Sequence, residues 1–192
     1  MKITNFLALG ICLLFGSCTM QKSTVQVNDK GTEWEWNKGT IVVKTPERPA
    51  GQESVIGLAL PKMEVVRVGF VGLGMRGPGA VSRFTYIPGT QIVALCDYEK
   101  ERAEKCQKYL KEASLPKAAV YSGDKGYEEL CKRDDIDLVY IATPHSHHYL
   151  HAKMCLEAGK NVLCEKAFTV NADQARKLFT LAKEKNLLIT EA

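Results

Sequence analysis

One short segment constrains the fold more than any other. Between an apolar, largely β-branched run, Val65 to Val71, and a helix-competent stretch, Arg76 to Tyr86, the chain reads Gly72-Leu73-Gly74-Met75-Arg76-Gly77. This is G-x-G-x-x-G at a strand-to-helix turn, the context in which the spacing carries meaning. Gly72 permits the tight turn, Gly74 lets the backbone approach a pyrophosphate, and Gly77 lets the helix pack on the strand. Free N–H groups over Leu73 to Gly77 then face the phosphates from the start of the helix. Asp97 ends a second strand, Gln91 to Cys96, and lies 97 − 77 = 20 residues beyond the last glycine. An acid there accepts hydrogen bonds from the adenosine ribose and repels a 2′-phosphate, so NAD is expected over NADP, with Arg76 partly offsetting the repulsion. Pro78 falls in the first helical turn, where it costs no intrahelical bond.

The rest of the chain repeats the alternation. Glu99 to Ala113 carries apolar Ala103, Cys106, Tyr109 and Leu110 at helical spacing, Asp137 to Ala142 reads as a buried strand, and Ser146 to Ala158 as a helix closed by Gly159. Asn161 to Cys164 is a further strand, Asn171 with Gln174 makes a capping box, and Leu187 to Thr190 starts one more strand. Strands joined through helices of this length run parallel. The predicted fold over residues 65–192 is therefore α/β, a Rossmann-type doubly wound parallel sheet.

The N-terminal third follows a different logic. Lys2, the apolar run Phe6 to Phe15, and Phe15-Gly16-Ser17-Cys18 form a secretory signal over residues 1–18. The run is about half the roughly 20 residues that span a bilayer. A signal ending in this way resembles the bacterial lipoprotein type, which implies lipidation at Cys18, export, and a membrane face held through that anchor only. Residues 19–64 read as a tether and arm, with Trp34 and Trp36 as an isolated aromatic pair, a short strand at Thr40 to Val43, and a Pro46 to Gly51 stretch that no regular helix accommodates. Of seven cysteines, the five beyond Cys18 show no CxxC spacing and read as small buried hydrophobes. With 26 basic and 22 acidic side chains, interspersed, the chain has no basic run of the kind nucleic acid selects.

All four histidines lie within His145 to His151. His147 and His151 could chelate a metal from one helix face, yet no carboxylate or cysteine accompanies them, so no metal is expected. Their place at the carboxyl end of a parallel strand suggests a cofactor-facing loop.

Gly72 to Gly77, Ala142-Thr143-Pro144-His145 with His148, and Ala158 to Lys166 together resemble the Gfo/Idh/MocA family of NAD(P)-dependent oxidoreductases. The resemblance covers Val65 to Ala192. It implies that Gly72, Gly74, Gly77 and Asp97 bind the dinucleotide and that Thr143, Pro144, His145 and His148 flank its nicotinamide side. It also implies that Glu165 and Lys166 are the E-K of an E-K-P motif, with Lys166 bonded to the reacting hydroxyl and the nicotinamide ribose, and Ala167 replacing the usual proline. Lys166 and His148 are thus the candidate catalytic residues. The family adds a second α/β domain that builds most of the substrate site, and this length holds only the first.

The leader, the Trp34 to Pro61 arm, Gly72 to Tyr86, and Asp134 to Thr143 are similar to the NAD-dependent α-N-acetylgalactosaminidases of glycoside hydrolase family 109. Pro144 to Ala192 is more similar to sugar or dihydrodiol dehydrogenases. Three readings follow. The leading one is a glycosidase that oxidises, eliminates, hydrates and re-reduces its sugar with NAD retained. The others are a sugar or polyol dehydrogenase and a non-catalytic NAD-binding fragment, with a homo-oligomer open in each.

Overall fold

A computed structural model of the chain describes residues 26–27, 33–44 and 58–192. The signal, Cys18 and most of the tether lie outside these residues. The chain divides into two compact units, Met1–Ile56 and Gly57–Ala192.

In the first unit, β1 (Gln26–Val27), β2 (Glu33–Asn37) and β3 (Thr40–Val43) form an antiparallel sheet. Lys38 and Gly39 both take positive φ, 46° and 84°, which gives a two-residue hairpin turn whose twist suits the flanking strands. The strand expected at Thr40 to Val43 is present. The tryptophans are not an isolated pair: they stand on β2 with Trp34 opposite Val43 and Trp36 opposite Ile41, so cross-strand contact explains their spacing.

The second unit carries β4 (Val66–Val71), α1 (Gly77–Phe84), β5 (Thr90–Asp97), α2 (Lys100–Glu112), β6 (Ala119–Ser122), α3 (Gly126–Cys131), β7 (Leu138–Ile141), α4 (His145–Glu157), β8 (Asn161–Cys164), α5 (Ala172–Glu184) and β9 (Ile189–Glu191). Six strands make one sheet in the order β6-β5-β4-β7-β8-β9, every pair parallel. The chain builds outward from β4 to β6, then returns to the other side of β4 with β7. The order therefore reverses between β4 and β7, the crevice where such sheets bind ligands.

Strand alternation divides the core. Val68 and Phe70 of β4 and Tyr140 of β7 face Ala80 and Val81 of α1 and Ala103, Cys106 and Leu110 of α2. Val71, Val139 and Ile141 face Leu130, Cys131, Ala152, Cys155, Leu156 and Leu178 of α3, α4 and α5. Phe70 stacks on Tyr140 with centroids 5.3 Å apart and Phe84 meets Phe70 edge-on at the same separation, a pair geometry worth about 0.5–1.5 kcal/mol beyond burial. A bulge between Val68 and Gly69 lets Ile92 and Leu95, three apart on β5, both face α1 and α2. At the opposite edge of the sheet Arg67 ties the amino ends of β4 and β7, donating from its backbone N, Nε and Nη2 to the Asp137 carboxylate at 2.8, 2.9 and 2.6 Å.

Strand β6 and helix α3, four and six residues long, add to the elements expected from the sequence. The α5 start follows the expected cap, with Asn171 Oδ1 accepting from Gln174 N at 3.0 Å, but Gln174 Oε1 reaches back to Val170 N and not to Asn171.

At the β4–α1 junction the backbone allows no Cβ. Gly72 has φ +92°, and a Cβ there would lie 2.6 Å from the Ala142 carbonyl carbon and the Thr143 nitrogen. A Cβ on Gly77 would lie 2.0 Å from Gly72 O. Gly77→Ala is therefore expected to force the turn open and lower unfolding stability by about 3 kcal/mol or more, in the range of steric and backbone conflicts. Urea unfolding checks this, and a loss below about 1 kcal/mol would overturn it.

Candidate functional site

The loops after β4, β5, β6 and β7 enclose a cavity of about 990 Å³ at the carboxyl edge of the sheet. Gly72, Gly74, Met75 and Arg76 border it from the first loop, Asp97 and Tyr98 from the second, Gly123 and Asp124 from the third, and Thr143, Pro144 and His145 from the fourth. Arg102, Tyr127, His147, Leu150 and His151 complete the wall.

The three glycines play different parts. The protein's own backbone excludes side chains at Gly72 and Gly77. A Cβ on Gly74 would meet only Arg102 Nη1, at 3.9 Å, so nothing among the described residues occupies the space above it. That space opens on the cavity, where a ligand phosphate would come. Helix α1 has no side-chain cap and no acid in its first turn, and its first i→i−4 bond runs from Ala80 N to Arg76 O. The N–H groups of Gly74, Met75 and Arg76 donate no hydrogen bond among the described residues and remain free for an anion.

Asp97 reaches the cavity while holding the loop. Its side chain is buried; Oδ2 accepts from Leu73 N at 2.6 Å, Oδ1 accepts from Glu99 N at 3.0 Å, and Arg102 Nη1 lies 3.5 Å from Oδ1. Leu73 itself is buried among the α1 and α2 residues, so its part is to anchor the turn. Oδ2, with one donor, keeps a lone pair for a ribose hydroxyl, whereas Oδ1 already faces two donors.

The histidine segment divides. His145, His147 and His151 border the cavity, and His151 Nδ1 lies 3.0 Å from Thr143 Oγ1 with its ring 4.4 Å from that of Tyr127. Burial, with smaller contributions from His147 and His148, pushes His151 down to about 4. His148 is fully buried and does not line the cavity: Nε2 sits 2.6 Å from Thr143 O and Nδ1 2.9 Å from Ala167 O. It ties the loop after β7 to the loop after β8. Among the described residues no group of three His, Cys, Asp or Glu side chains is placed to hold a metal.

Glu165 and Lys166 follow β8, one strand from the cavity wall. Glu165 N donates to Ile141 O at 2.9 Å and Tyr140 Oη donates to Glu165 Oε1 at 2.7 Å, while burial and then this carboxylate push the tyrosine up to about 12. Lys166 is exposed, and its peptide bond to Ala167 is cis. Tyr98, Arg102, Gly123, Asp124 and Tyr127 were not anticipated as wall residues. They lie in the β5–α2 loop, the start of α2 and the β6–α3 segment, where no motif marks them.

This arrangement defines a dinucleotide-binding Rossmann domain. Residues 66–192 match the sequence model described as the Gfo/Idh/MocA oxidoreductase family, NAD-binding Rossmann fold, and the chain belongs to that family. It is 65% identical over 182 residues, 95% of its length, to glycosyl hydrolase family 109 protein 4 of Phocaeicola vulgatus. It is 55% identical over 145 residues to glycosyl hydrolase family 109 protein 1 of Bacteroides thetaiotaomicron, a match covering 75% of this chain and 31% of that one. The chain spans about a third of the length of these curated relatives, 35% in the first case. Among solved structures, a putative oxidoreductase from Klebsiella pneumoniae matches with TM-score 0.57 and 27% identity over 67% of this chain and 35% of that one. A 3-ketoreductase from Actinomadura kijaniata in complex with TDP-benzene and NADP matches with TM-score 0.57 and 31% identity over 66% and 38%.

Two outcomes are expected. Asp97→Asn must turn an amide nitrogen toward Leu73 N–H or Glu99 N–H, leaving one donor unpaired, a cost of about 1–3 kcal/mol. Thermal unfolding should register that loss and calorimetry a weaker NAD affinity; unchanged values in both would show that Asp97 holds neither loop nor ribose. For His151, the unfolded chain binds a proton between pH 6.5 and 4 that the folded chain does not. Its contribution is therefore complete above pH 6.5 and is lost as pH falls toward 4, about 3 kcal/mol in all. His151→Gln should flatten the dependence of unfolding free energy on pH across that window, and a slope equal to wild type would overturn this.

Proposed function

We propose that this chain is the nucleotide-binding part of an NAD-dependent glycosidase of the α-N-acetylgalactosaminidase type. The observation that carries the reading is the 65% identity to a family 109 protein over 95% of this chain, which extends through the segment after Thr143. The cavity fits the dinucleotide on physical grounds: an open approach at Gly74, unpaired N–H groups at Gly74 to Arg76, and an acid with spare acceptor capacity at Asp97.

When bound, NAD supplies a hydride acceptor for a sugar carbon. The chain's residues would do the remainder. The loop N–H groups and Arg76 hold the pyrophosphate, and Asp97 the adenosine ribose. Thr143, Pro144 and His145 border the nicotinamide end, with Tyr127 and neutral His151 excluding water. His148 positions the Thr143 and Ala167 backbones. Tyr140, through Glu165, positions the segment from which Lys166 would donate a hydrogen bond to the substrate hydroxyl.

A sugar dehydrogenase is the second reading. The Glu165–Lys166 pair and the likeness to solved oxidoreductases favour it.

Calorimetry with NAD, release of p-nitrophenol from an aryl α-N-acetylgalactosaminide, and NADH absorbance with free sugars separate the readings. The 192-residue chain is expected to bind NAD without turnover in either channel, because orientation of the substrate, worth about 7–11 kcal/mol, needs walls that Lys166 alone does not provide. A protein of the relatives' length is expected to release p-nitrophenol with no net NADH. Accumulation of NADH with free sugar would favour the dehydrogenase. Turnover by the 192-residue chain, abolished in Lys166→Ala, would show a complete site here.

A further inference from the structure

The core beneath the α3–α4 face holds four of the five cysteines beyond Cys18: Cys96, Cys131, Cys155 and Cys164. Two of them touch. Cys131 Sγ and Cys155 Sγ are 3.2 Å apart, and no other sulfur pair among the described residues is in hydrogen-bond contact. A disulfide has its sulfurs about 2.05 Å apart, so closure requires a movement of about 1.2 Å shared between two helices. The contact has a definite place. Cys131 ends α3 and Cys155 lies in the last turns of α4. Tyr127 precedes the first by four residues and His151 precedes the second by four, and these rings pack 4.4 Å apart on the cavity wall. On a helix, four residues is one turn along the same face.

We propose that Cys131 and Cys155 form a reversible disulfide that pins α3 to α4 one turn beneath the Tyr127–His151 wall of the nucleotide cavity.

The surroundings prepare one sulfur to attack. The hydrogen bond between the two sulfurs, with the buried Lys160 amine nearby, holds the Cys131 thiol below its ordinary value against the opposing effect of burial. Lys160 is fixed there by its Nζ bond to Arg133 O, 2.5 Å, and its backbone N bond to Cys155 O, 2.9 Å. Cys155 is raised well above the ordinary thiol value, first by the same hydrogen bond, and so acts second. Helix α3 is only six residues long, so its lifting from the sheet is the local opening that exposes Cys131.

The oxidant is a disulfide of low molecular weight. Cys131 thiolate attacks one of its sulfurs, forming a mixed disulfide and expelling one thiolate. Cys155 then gives up its proton and attacks Cys131 Sγ, which forms the protein bond and expels the second thiolate. The two protein thiols lose two electrons, the small disulfide gains them, and the released protons end on its two thiols.

The test uses the 192-residue protein, treated with oxidised glutathione, alkylated, and digested without reduction. Mass spectrometry should show the Cys131 and Cys155 peptides joined and two hydrogens lighter than their sum, with Cys96, Cys106 and Cys164 alkylated after unfolding. The thermal midpoint should rise by roughly 6 to 12 °C, as expected for closure of a loop of this length in a chain of this size. Amide exchange over residues 126–131 should slow at least about tenfold. Dithiothreitol should reverse each change, and Cys155→Ser should prevent them. The wild-type comparison with and without oxidant stands by itself if that variant misfolds. Alkylation of both Cys131 and Cys155 after oxidation, a glutathione adduct that does not resolve, a bond from either to Cys96 or Cys164, or a crosslink that leaves exchange over 126–131 unchanged would each overturn the proposal.

Discussion

The contact between Gly72 and Gly77 is the constraint on which the rest of this domain depends. The helix α1 can start only where the carbonyl of Gly72 passes the α-carbon of Gly77, and a Cβ there would sit 2.0 Å from that oxygen. The same Gly72 must also clear the Ala142–Thr143 backbone beyond β7. One five-residue turn therefore sets how α1 lies on the sheet and how closely the ends of β4 and β7 approach. Asp97 holds the turn from the third side through Leu73 N. Of the four strand ends that border the cavity, those of β4 and β7 thus meet in backbone contacts too tight to admit a side chain, and that of β5 is tied to them by the Asp97 carboxylate. In that sense the binding site is a consequence of close packing at the switch point, since the room above Gly74 is what remains after Gly72 and Gly77 have been pressed against their neighbours.

This explains why the first half of the site could be read from the sequence. Glycine at positions 72 and 77 is dictated by backbone geometry, and an acid twenty residues on is dictated by the next strand end, so spacing alone locates them. Alternation of apolar residues likewise located β4, β5, β7, β8 and the helices between them to within one or two residues. Strand β6 and helix α3 escaped because they are four and six residues long, too short for either period to show. With them went Gly123, Asp124 and Tyr127, which wall the cavity from that side. The histidines illustrate a different limit. Their place at the end of β7 was legible, but side-chain direction was not. Within one turn of α4, His147 and His151 turn to the cavity while His148 turns inward to two backbone carbonyls. Trp34 and Trp36 stand on a strand whose partner, Thr40 to Val43, was legible, and the Lys38–Gly39 turn joins the two.

The E-K segment shows how a motif can be held without lying in the cavity. Glu165 is fixed by Tyr140, whose ring is stacked on Phe70 in the α1–α2 core, so the loop after β8 is tied to the same hydrophobic layer that supports the glycine turn. His148 ties it again from the opposite face through Ala167 O. Lys166 is exposed between these two restraints. The lysine is thus placed on a loop braced from both faces, and its amine has no hydrogen-bond partner among the described residues. The chain spans about a third of its curated relatives' length.

Charge within the cavity is arranged along its length. At the β4–α1 end the free N–H groups of Gly74 to Arg76 and the uncapped start of α1 are joined by Arg76 and Arg102, and the first turn of α1 carries no acid to oppose them. A diphosphate there gains from the helix dipole and from hydrogen bonds to N–H groups that would otherwise be left without acceptors. Toward the β7 end the wall changes to Tyr127, Thr143, Pro144, Leu150 and His151, and burial keeps His151 neutral at physiological pH. A flat, mostly apolar ring is better accommodated there than an anion, because no buried cation awaits it and the aromatic faces offer stacking area. Asp97, on the other side of the diphosphate position, presents the spare lone pair of Oδ2 to a hydroxyl group. On the proposed function, the acceptor, the donor cradle and the neutral aromatic wall would take adenosine ribose, pyrophosphate and nicotinamide in that order, each presented from the strand ends that border the cavity.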